Sequence, residues 1–359
     1  MNYALGRRKT RPVYVGGVGI GGDNPISIQS MTNTDTHDID ATYNQVMRLA
    51  EAGCDIVRIT APDLKSIGTF EALIARGVKV PLVADVHFNH EIAIAAAESG
   101  VSKIRINPGN IGSDDNVRRV VEACKKASVP IRIGVNSGSL EKHILEKYGS
   151  PTPEALAESA LYHAELLQRF DFSDIIISVK ASSVTNMIAA NRILAERTEY
   201  PLHLGVTEAG GGTSAIVKSS IGIGTLLSEG IGDTVRVSLT DDPIEEAYAA
   251  KEILKAVGLS KAPGLDIVSC PTCGRTKIDL ITLVRQFKDR VKREGLDKLN
   301  VKVALMGCVV NGPGEAREAD LGIAGGKGEG LIFRKGEIIR KVGEDELIDG
   351  LIEEMRRYL

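Results

Sequence analysis

"KIRINPGN" (residues 103–110) and "PIRIGVN" (residues 130–136) are two short β-branched runs, each followed by a polar loop. A helical stretch that includes "EACKKA" (122–127) lies between them. Strand, loop, helix and strand in that order make the unit of a parallel sheet, because parallel neighbours need a crossover connection. The unit repeats on both sides. Upstream lie "PISIQSM" (25–31), "DIVRIT" (55–60) and "PLVADVHF" (81–88); downstream come "DIIISVKAS" (174–182), "PLHLGVTEAG" (201–210) and "TVRVSLT" (234–240). Amphipathic stretches such as "DATYNQVMRLAEAG", "PEALAESALYHAELLQRF" and "DPIEEAYAAKEILKAVG" separate them, with Gly53, Gly77, Gly100 and Gly258 where helix C-caps belong. Eight such units close a TIM (β/α)8 barrel. An open doubly wound sheet is the alternative, but no GxGxxG follows the first strand to favour it.

In a barrel, side chains alternate between the lumen and the helix layer. Ile104 and Ile106, Ile131 and Ile133, and Val235 and Val237 then face the helices. The opposite parity reads Gln29; Arg58 and Thr60; Asp85 and His87; Arg105 and Asn107; Arg132 and Asn136; Ser178 and Lys180; Arg236 and Ser238. An ordinary barrel fills its lumen with branched apolar residues. Here four arginines and a lysine converge on the C-terminal face, against Asp85 and Glu208. Any one of them could be a structural ion-pair partner or a surface residue. All five at matching positions point instead to a small polyanion, most simply one with two phosphates, held by guanidinium forks. Glu208 shares the parity of Leu204 and Val206, so alternation turns it from the lumen unless it lies past the strand end. His87 reads as an acid/base, a ligand donor or a satisfied structural histidine. The run "EAGGGTSAIVKSS" opens a helix, either as a phosphate cradle or as a tight turn.

The remaining totals narrow the class. Lys+Arg of 44 against Asp+Glu of 47 leaves a net charge of −3, which argues against nucleic acid. Aromatics at 4% and the absence of Trp remove the stacking platforms of single-strand binders. No apolar run approaches the length of about 20 residues that spans a bilayer, so no membrane partner is expected. The basic start, "MNYALGRRKTRPVYVGG", reads as a solvated arm rather than a targeting signal. A cytoplasmic protein with reduced thiols is expected, since its five cysteines are not spaced as a disulfide framework. Cys54 and Cys124 have the surroundings of buried, unreactive packing residues.

The barrel pattern ends near Gly258, and "LSKAPGLD" reads as a linker between a barrel over 1–260 and a second domain over 264–359. The second domain reads as α+β with a small, mostly antiparallel sheet. It holds "SCPTCG", with Cys270 and Cys273, and "MGCVVNGPGEA", with Cys308 and Glu315. A closed zinc site wants four Cys/His ligands, yet all six histidines lie in the barrel half and no fourth cysteine exists here. A CxxC disulfide switch would leave Cys308 unused. Three thiolates suit an iron–sulfur cubane, with Glu315 as the local oxygen donor and Gly312 and Gly314 letting the backbone pass close. A non-redox barrel transferase or ligand-binding protein with structural zinc is the alternative.

Together, "CPTCGR", "MGCVVNGPGEA", "IQSMTNTDT", "ADVHF", "IRINPGN" and "RIGVNSGSL" resemble the 4-hydroxy-3-methylbut-2-enyl diphosphate synthase family in its short bacterial form, over essentially the whole chain. The resemblance implies a TIM barrel followed by an iron–sulfur domain, and a [4Fe-4S] cluster on Cys270, Cys273, Cys308 and Glu315. It implies substrate contacts at Arg58, His87, Arg105, Asn107, Arg132, Asn136, Lys180, Glu208 and Ser238, overriding alternation at Glu208; Arg236 joins the binding set by strand parity alone. His87 and Glu208 are the catalytic candidates. The implied reaction is reductive ring opening of 2-C-methyl-D-erythritol 2,4-cyclodiphosphate, in isoprenoid biosynthesis, with flavodoxin or ferredoxin as donor. A homodimer is implied as well, one subunit's cluster domain covering the other's barrel mouth.

Overall fold

The computed structural model describes residues 6–261, 264–308 and 316–359. The chain divides into two units, Met1–Ser260 and Lys261–Leu359.

The first unit begins with a hairpin of β1 (Val13–Val15) and β2 (Val18–Ile20). The barrel strands follow: β3 (Ser27–Met31), β4 (Ile56–Thr60), β5 (Leu82–Asp85), β6 (Lys103–Ile106), β7 (Ile131–Asn136), β8 (Ile175–Lys180), β9 (His203–Leu204) and β10 (Thr234–Val235). They pair in parallel in the order β8-β7-β6-β5-β4-β3-β10-β9. A parallel bridge between Ile177 and Leu202, with the Ile177 N–H donating to the Pro201 carbonyl at 2.9 Å, joins the two ends. The eight strands thus close into a barrel.

Around it lie α1 (Ile39–Glu51), α2 (Ile67–Ala75), α3 (His90–Glu98), α4 (Pro108–Ile111), α5 (Asp114–Ala127), α6 (Lys142–Tyr148), α7 (Pro153–Arg169), α8 (Val184–Arg197), α9 (Gly212–Ser228) and α10 (Pro243–Ala256). Asp38, Asn89, Ser113, Thr152, Ser183 and Asp242 start their helices by accepting backbone N–H groups with their side chains. Ile104, Ile106, Ile131, Ile133, Val235 and Val237 pack in one core with the helix faces, so the other parity faces inward. Cys54 and Cys124 are buried in that core, where desolvation pushes both thiols up to about 12.

The basic N-terminal stretch is not a solvated arm. Arg7 pairs with Asp233 at 3.0 Å, and Arg8 donates to the carbonyls of Thr198 and Tyr200. These anchors precede β9 and β10. The hairpin packs Val13, Val15 and Ile20 against Ile56, Val83 and Ile176, lumen-facing residues near the N-terminal ends of their strands. Two three-residue strands are enough because the barrel floor supplies the missing apolar surface.

The second unit contains β11 (Asp266–Ser269), α11 (Leu280–Arg293), β12 (Lys302–Met306), β13 (Leu321–Gly325), β14 (Glu329–Arg334), β15 (Glu337–Gly343) and α12 (Leu347–Met355). The sheet order is β11-β12-β13-β14-β15. The expectation of a mostly antiparallel sheet fails. β11, β12 and β13 are parallel, and only β13–β14–β15 are antiparallel. The reason is local: long connections, α11 between β11 and β12 and residues 307–320 between β12 and β13, give a parallel crossover its length, while short turns join the last three strands. α11 and α12 bury Phe287, Val291, Leu351 and Met355 on Val303, Leu305, Ile323 and Ile332. Among the described residues of the chain, no helix is long and apolar enough to cross a membrane.

Candidate active site

At the C-terminal ends of the barrel strands, Arg58, Asp85, His87, Arg105, Arg132, Gly134, Asn136, Ser178, Lys180, Thr207, Arg236 and Ser238 enclose a cavity of 120 Å³. Drug-sized ligand pockets run to roughly 300–1,000 Å³, so this one suits a compact molecule. Two glycines make the room. A Cβ at Gly134 would stand 2.4 Å from Arg105 Nε, and one at Gly205 would stand 2.6 Å from the Arg236 carbonyl oxygen and 3.0 Å from Lys180 Nζ. Both cationic side chains therefore lie along bare backbone.

The electrostatics of this mouth are lopsided. Asp85 accepts from Arg105 Nη1 at 3.2 Å and lies 3.7 Å from Arg58 Nε. Burial works to raise the Asp85 carboxyl, but Arg58 and Arg105 outweigh it and hold it well below the usual carboxylate range. Arg236 is forked onto Glu246 at 3.1 and 3.2 Å. Arg132 is 1% exposed, and its Nε and Nη1 find no partner among the described residues. Burial, then the charges of Arg58 and Arg105, press the Arg132 pKa far down, and burial takes Arg58 to about 10. Lys180 is pushed the same way by burial and by Arg236 and Arg58. Guanidinium groups keep their proton regardless. The pressure is therefore one that a bound anion would relieve.

Below the mouth, Lys103 is fully buried and donates to Gln29 Oε1 at 3.2 Å. His203 is also buried, with neither ring nitrogen partnered among the described residues. Burial and the nearby Arg132 and Lys180 hold its pKa well below the ordinary histidine value.

Eight of the ten barrel residues singled out in the sequence meet at this cavity: Arg58, His87, Arg105, Arg132, Asn136, Lys180, Arg236 and Ser238. Asn107 and Glu208 are not among its lining residues. Asn107 is buried and caps α4, accepting from the Gly109 N–H at 3.1 Å and donating to the Ser139 carbonyl at 3.4 Å. Glu208 follows the lining residue Thr207, is exposed, and has φ of +54°. A left-handed glutamate beside a cavity is locally strained, a feature that concentrates at functional sites. The strand's alternation has ended there, which removes the parity objection to Glu208. Gly212–Ser228 forms a helix with no side-chain cap at its start, so the glycine run does open α9. Glu246 and Thr207 were missed. Glu246 comes from α10, outside any strand pattern, and also accepts from Ser30 Oγ at 2.7 Å. His203 and Lys103 follow from the same parity rule extended one step down β9 and β6.

In the second unit, β11 and β12 are parallel neighbours, with Ser269 opposite Leu305. Cys270 follows β11, and Cys308 lies two residues beyond β12. Cys270 Sγ accepts from the Gly307 N–H at 3.2 Å, so the C-terminal ends of two neighbouring strands carry both cysteines. Cys273 is exposed on the following turn, where the Arg275 backbone N–H draws its thiol below the usual range. Glu315, like Gly312 and Gly314, lies outside the described residues. Among the described residues, no three His, Cys, Asp or Glu side chains converge as a metal site.

Comparison with known proteins agrees with this two-unit construction. Residues 10–251 match the GcpE TIM-barrel domain, and residues 266–357 match the GcpE protein C-terminal domain. The 4-hydroxy-3-methylbut-2-en-1-yl diphosphate synthase (flavodoxin) of Clostridium perfringens is 58% identical over 349 residues, covering 97% of this chain and 99% of its own. The synthase of the same name from Fusobacterium nucleatum is 56% identical over 344 residues, covering 96% of each chain. Among solved structures, a type I 3-dehydroquinate dehydratase from Clostridium difficile superposes with a TM-score of 0.51 at 14% identity, over 70% of this chain and 97% of its own. At that identity the likeness extends to the barrel fold alone. With both domain models matched in order and relatives more than half identical end to end, the chain belongs to the GcpE family, that of the flavodoxin-named 4-hydroxy-3-methylbut-2-en-1-yl diphosphate synthases.

Proposed function

We propose that this chain is an oxidoreductase of isoprenoid biosynthesis that performs the reaction for which its relatives are named. It opens 2-C-methyl-D-erythritol 2,4-cyclodiphosphate reductively to (E)-4-hydroxy-3-methylbut-2-enyl diphosphate and water, with flavodoxin, or a ferredoxin in its place, as electron donor. The observation that carries the reading is the cation excess of the barrel mouth, where among the described residues no carboxylate is ion-paired with Arg132 or Lys180, two nitrogens of Arg132 lack any partner, and Asp85 is shared between two arginines.

A cyclic diphosphate supplies the missing negative charge. As its bridging C–O bond opens, two electrons enter, a hydroxyl leaves as water, and the freed diphosphate carries one more negative charge. Arg58, Arg105, Arg132 and Lys180 stand preorganised for that charge, in a setting with little water to reorganise. Asn107, Asn136 and Ser238 orient the substrate by hydrogen bonds, and Arg236 holds its share of the anion while forked to Glu246. Glu208 and His87, at the exposed rim, handle the proton that leaves with the hydroxyl.

Cys270, Cys273 and Cys308, with Glu315, would hold a [4Fe-4S] cluster. The donor set fits, being three soft thiolates with two of them just past the ends of neighbouring strands. When bound, such a cluster supplies single electrons and a Lewis-acidic iron. The working protein in this reading is a cytoplasmic homodimer. Anaerobically prepared protein should be brown, carry about four irons per chain, and consume the cyclodiphosphate with reduced flavodoxin. Colourless protein with a single zinc and no turnover would refute the reading.

A further inference from the structure

Asn107 and Asn136 sit on neighbouring strand ends, and the loops that carry them share a support. The β7 loop folds back through Ser139, whose Oγ accepts from the Asn136 N–H at 3.2 Å and donates to the Asn136 carbonyl at 3.1 Å. The Ser139 carbonyl in turn accepts from Asn107 Nδ2 at 3.4 Å, while Asn107 Oδ1 holds the Gly109 N–H at 3.1 Å. Two residues past Ser139 comes Glu141, and its carboxylate is hydrogen-bonded to Nε2 of His163 on α7. A carboxylate only accepts, so Nε2 carries the proton.

His163 is 1% exposed, and its Nδ1 has no partner among the described residues, nor has Glu141 Oε2. The pair lies against the other loop as well. A Cβ on Gly109 would stand 2.8 Å from Glu141 Oε1 and 3.3 Å from His163 Nε2, so only bare backbone fits there. One hydrogen bond thus ties the β7 loop to α7, and the β6 loop lies against that pair at Gly109. The His163 ring meets the neighbouring Tyr162 ring edge-on, with centroids 5.3 Å apart. Burial works to raise the Glu141 carboxyl, and His163 outweighs it, leaving the glutamate ionised at neutral pH.

We infer that Glu141 and His163 are positioning residues that set Asn107 and Asn136 for substrate without touching it, an inference that rests on those asparagines being substrate contacts. The test measures kcat and KM for the cyclodiphosphate, with iron content and Tm, in E141A, H163A, H163Q, N107A and N136A. A misplacement near 1 Å can cost up to about a hundredfold, and loops tied elsewhere should lose roughly tenfold, mainly in KM. The double variant E141A/H163A should lose no more than either single one, and H163Q, whose amide can still donate, should recover part of the loss. Iron content should stay at the wild-type value. If E141A does not fold, E141Q takes its place and should show a smaller rise in KM. Unchanged KM in the Glu141 and His163 variants, with raised KM in N107A and N136A, overturns the inference alone. Unchanged KM in all of them overturns the reading of the asparagines and this inference with it. A fall in Tm with KM unmoved likewise overturns it.

Discussion

Replacing Arg132 with methionine should make the free protein more stable and the enzyme worse. Arg132 is among the largest fully buried side chains, and two of its nitrogens lack a partner among the described residues. Leaving a buried donor unsatisfied costs about 1–3 kcal/mol, and Arg58 and Arg105 add repulsion. Methionine keeps the length and removes the charge, so R132M should gain about 1–3 kcal/mol in the ligand-free state, the range set by one such donor. At roughly 2–4 °C per kcal/mol for a unit of this size, the apparent Tm rises by several degrees. The same change removes charge-assisted hydrogen bonds worth about 1.5–3 kcal/mol to an anion, which is a ten- to hundredfold rise in KM. Thermal melts with and without inorganic pyrophosphate, together with steady-state kinetics, read both effects. The wild type should gain more from pyrophosphate than R132M does. A lower ligand-free Tm with an undiminished pyrophosphate shift would refute the claim that Arg132 is held in tension for an anion.

Asp85 should have the opposite character. D85N strands Arg58 and Arg105, and losing one partner of a buried pair costs about 3–5 kcal/mol at neutral pH. Because the folded carboxyl titrates below its ordinary value, its contribution is complete above about pH 4 and disappears as pH falls further. Denaturant melts across that range should therefore show a steeper acid loss in the wild type than in D85N. G134A should drive Arg105 off its backbone seat and raise KM roughly tenfold with little change in iron content, since 1 Å displacements carry such penalties. Wild-type kinetics in G134A would mean that Arg105 tolerates another position. Deleting residues 6–20 should expose Ile56, Val83 and Ile176 at the barrel floor. At about 1.5–3 kcal/mol per buried aliphatic side chain, the truncated protein should unfold well below the wild type, and an unchanged melting curve would show the hairpin to be dispensable.

Much of this was legible in the sequence because strands have a period of two. Once "KIRINPGN" and "PIRIGVN" were aligned as strands, Ile104 and Ile131 had to face the helices and Arg105 and Arg132 the lumen, as they do. The same logic could not reach Glu246, which approaches Arg236 from a helix. It also stopped at Glu208, where the backbone leaves the strand with a positive φ. The N-terminal hairpin was hidden because "VYV" and "VGI" are too short to carry a pattern; the apolar strand ends beneath them make the hairpin. In the second unit, strand runs announced a sheet but not its direction, which follows from whether a long connection or a tight turn intervenes. Asn107 matched a contact position in the family motif, yet its side chain is engaged in holding its own loop. That duty shows only in coordinates.

The hairpin under the barrel has one more consequence. With Val13, Val15 and Ile20 seated on Ile56, Val83 and Ile176, the floor of the packed barrel is covered as well. The cavity lies at the opposite, C-terminal ends of the strands, and substrate and product share that mouth. A diphosphate product must leave by the route on which the next cyclic diphosphate arrives, and it carries more charge toward the same arginines. Product should accordingly compete directly with substrate, and how quickly the barrel lets go of its own product then sets a ceiling on turnover.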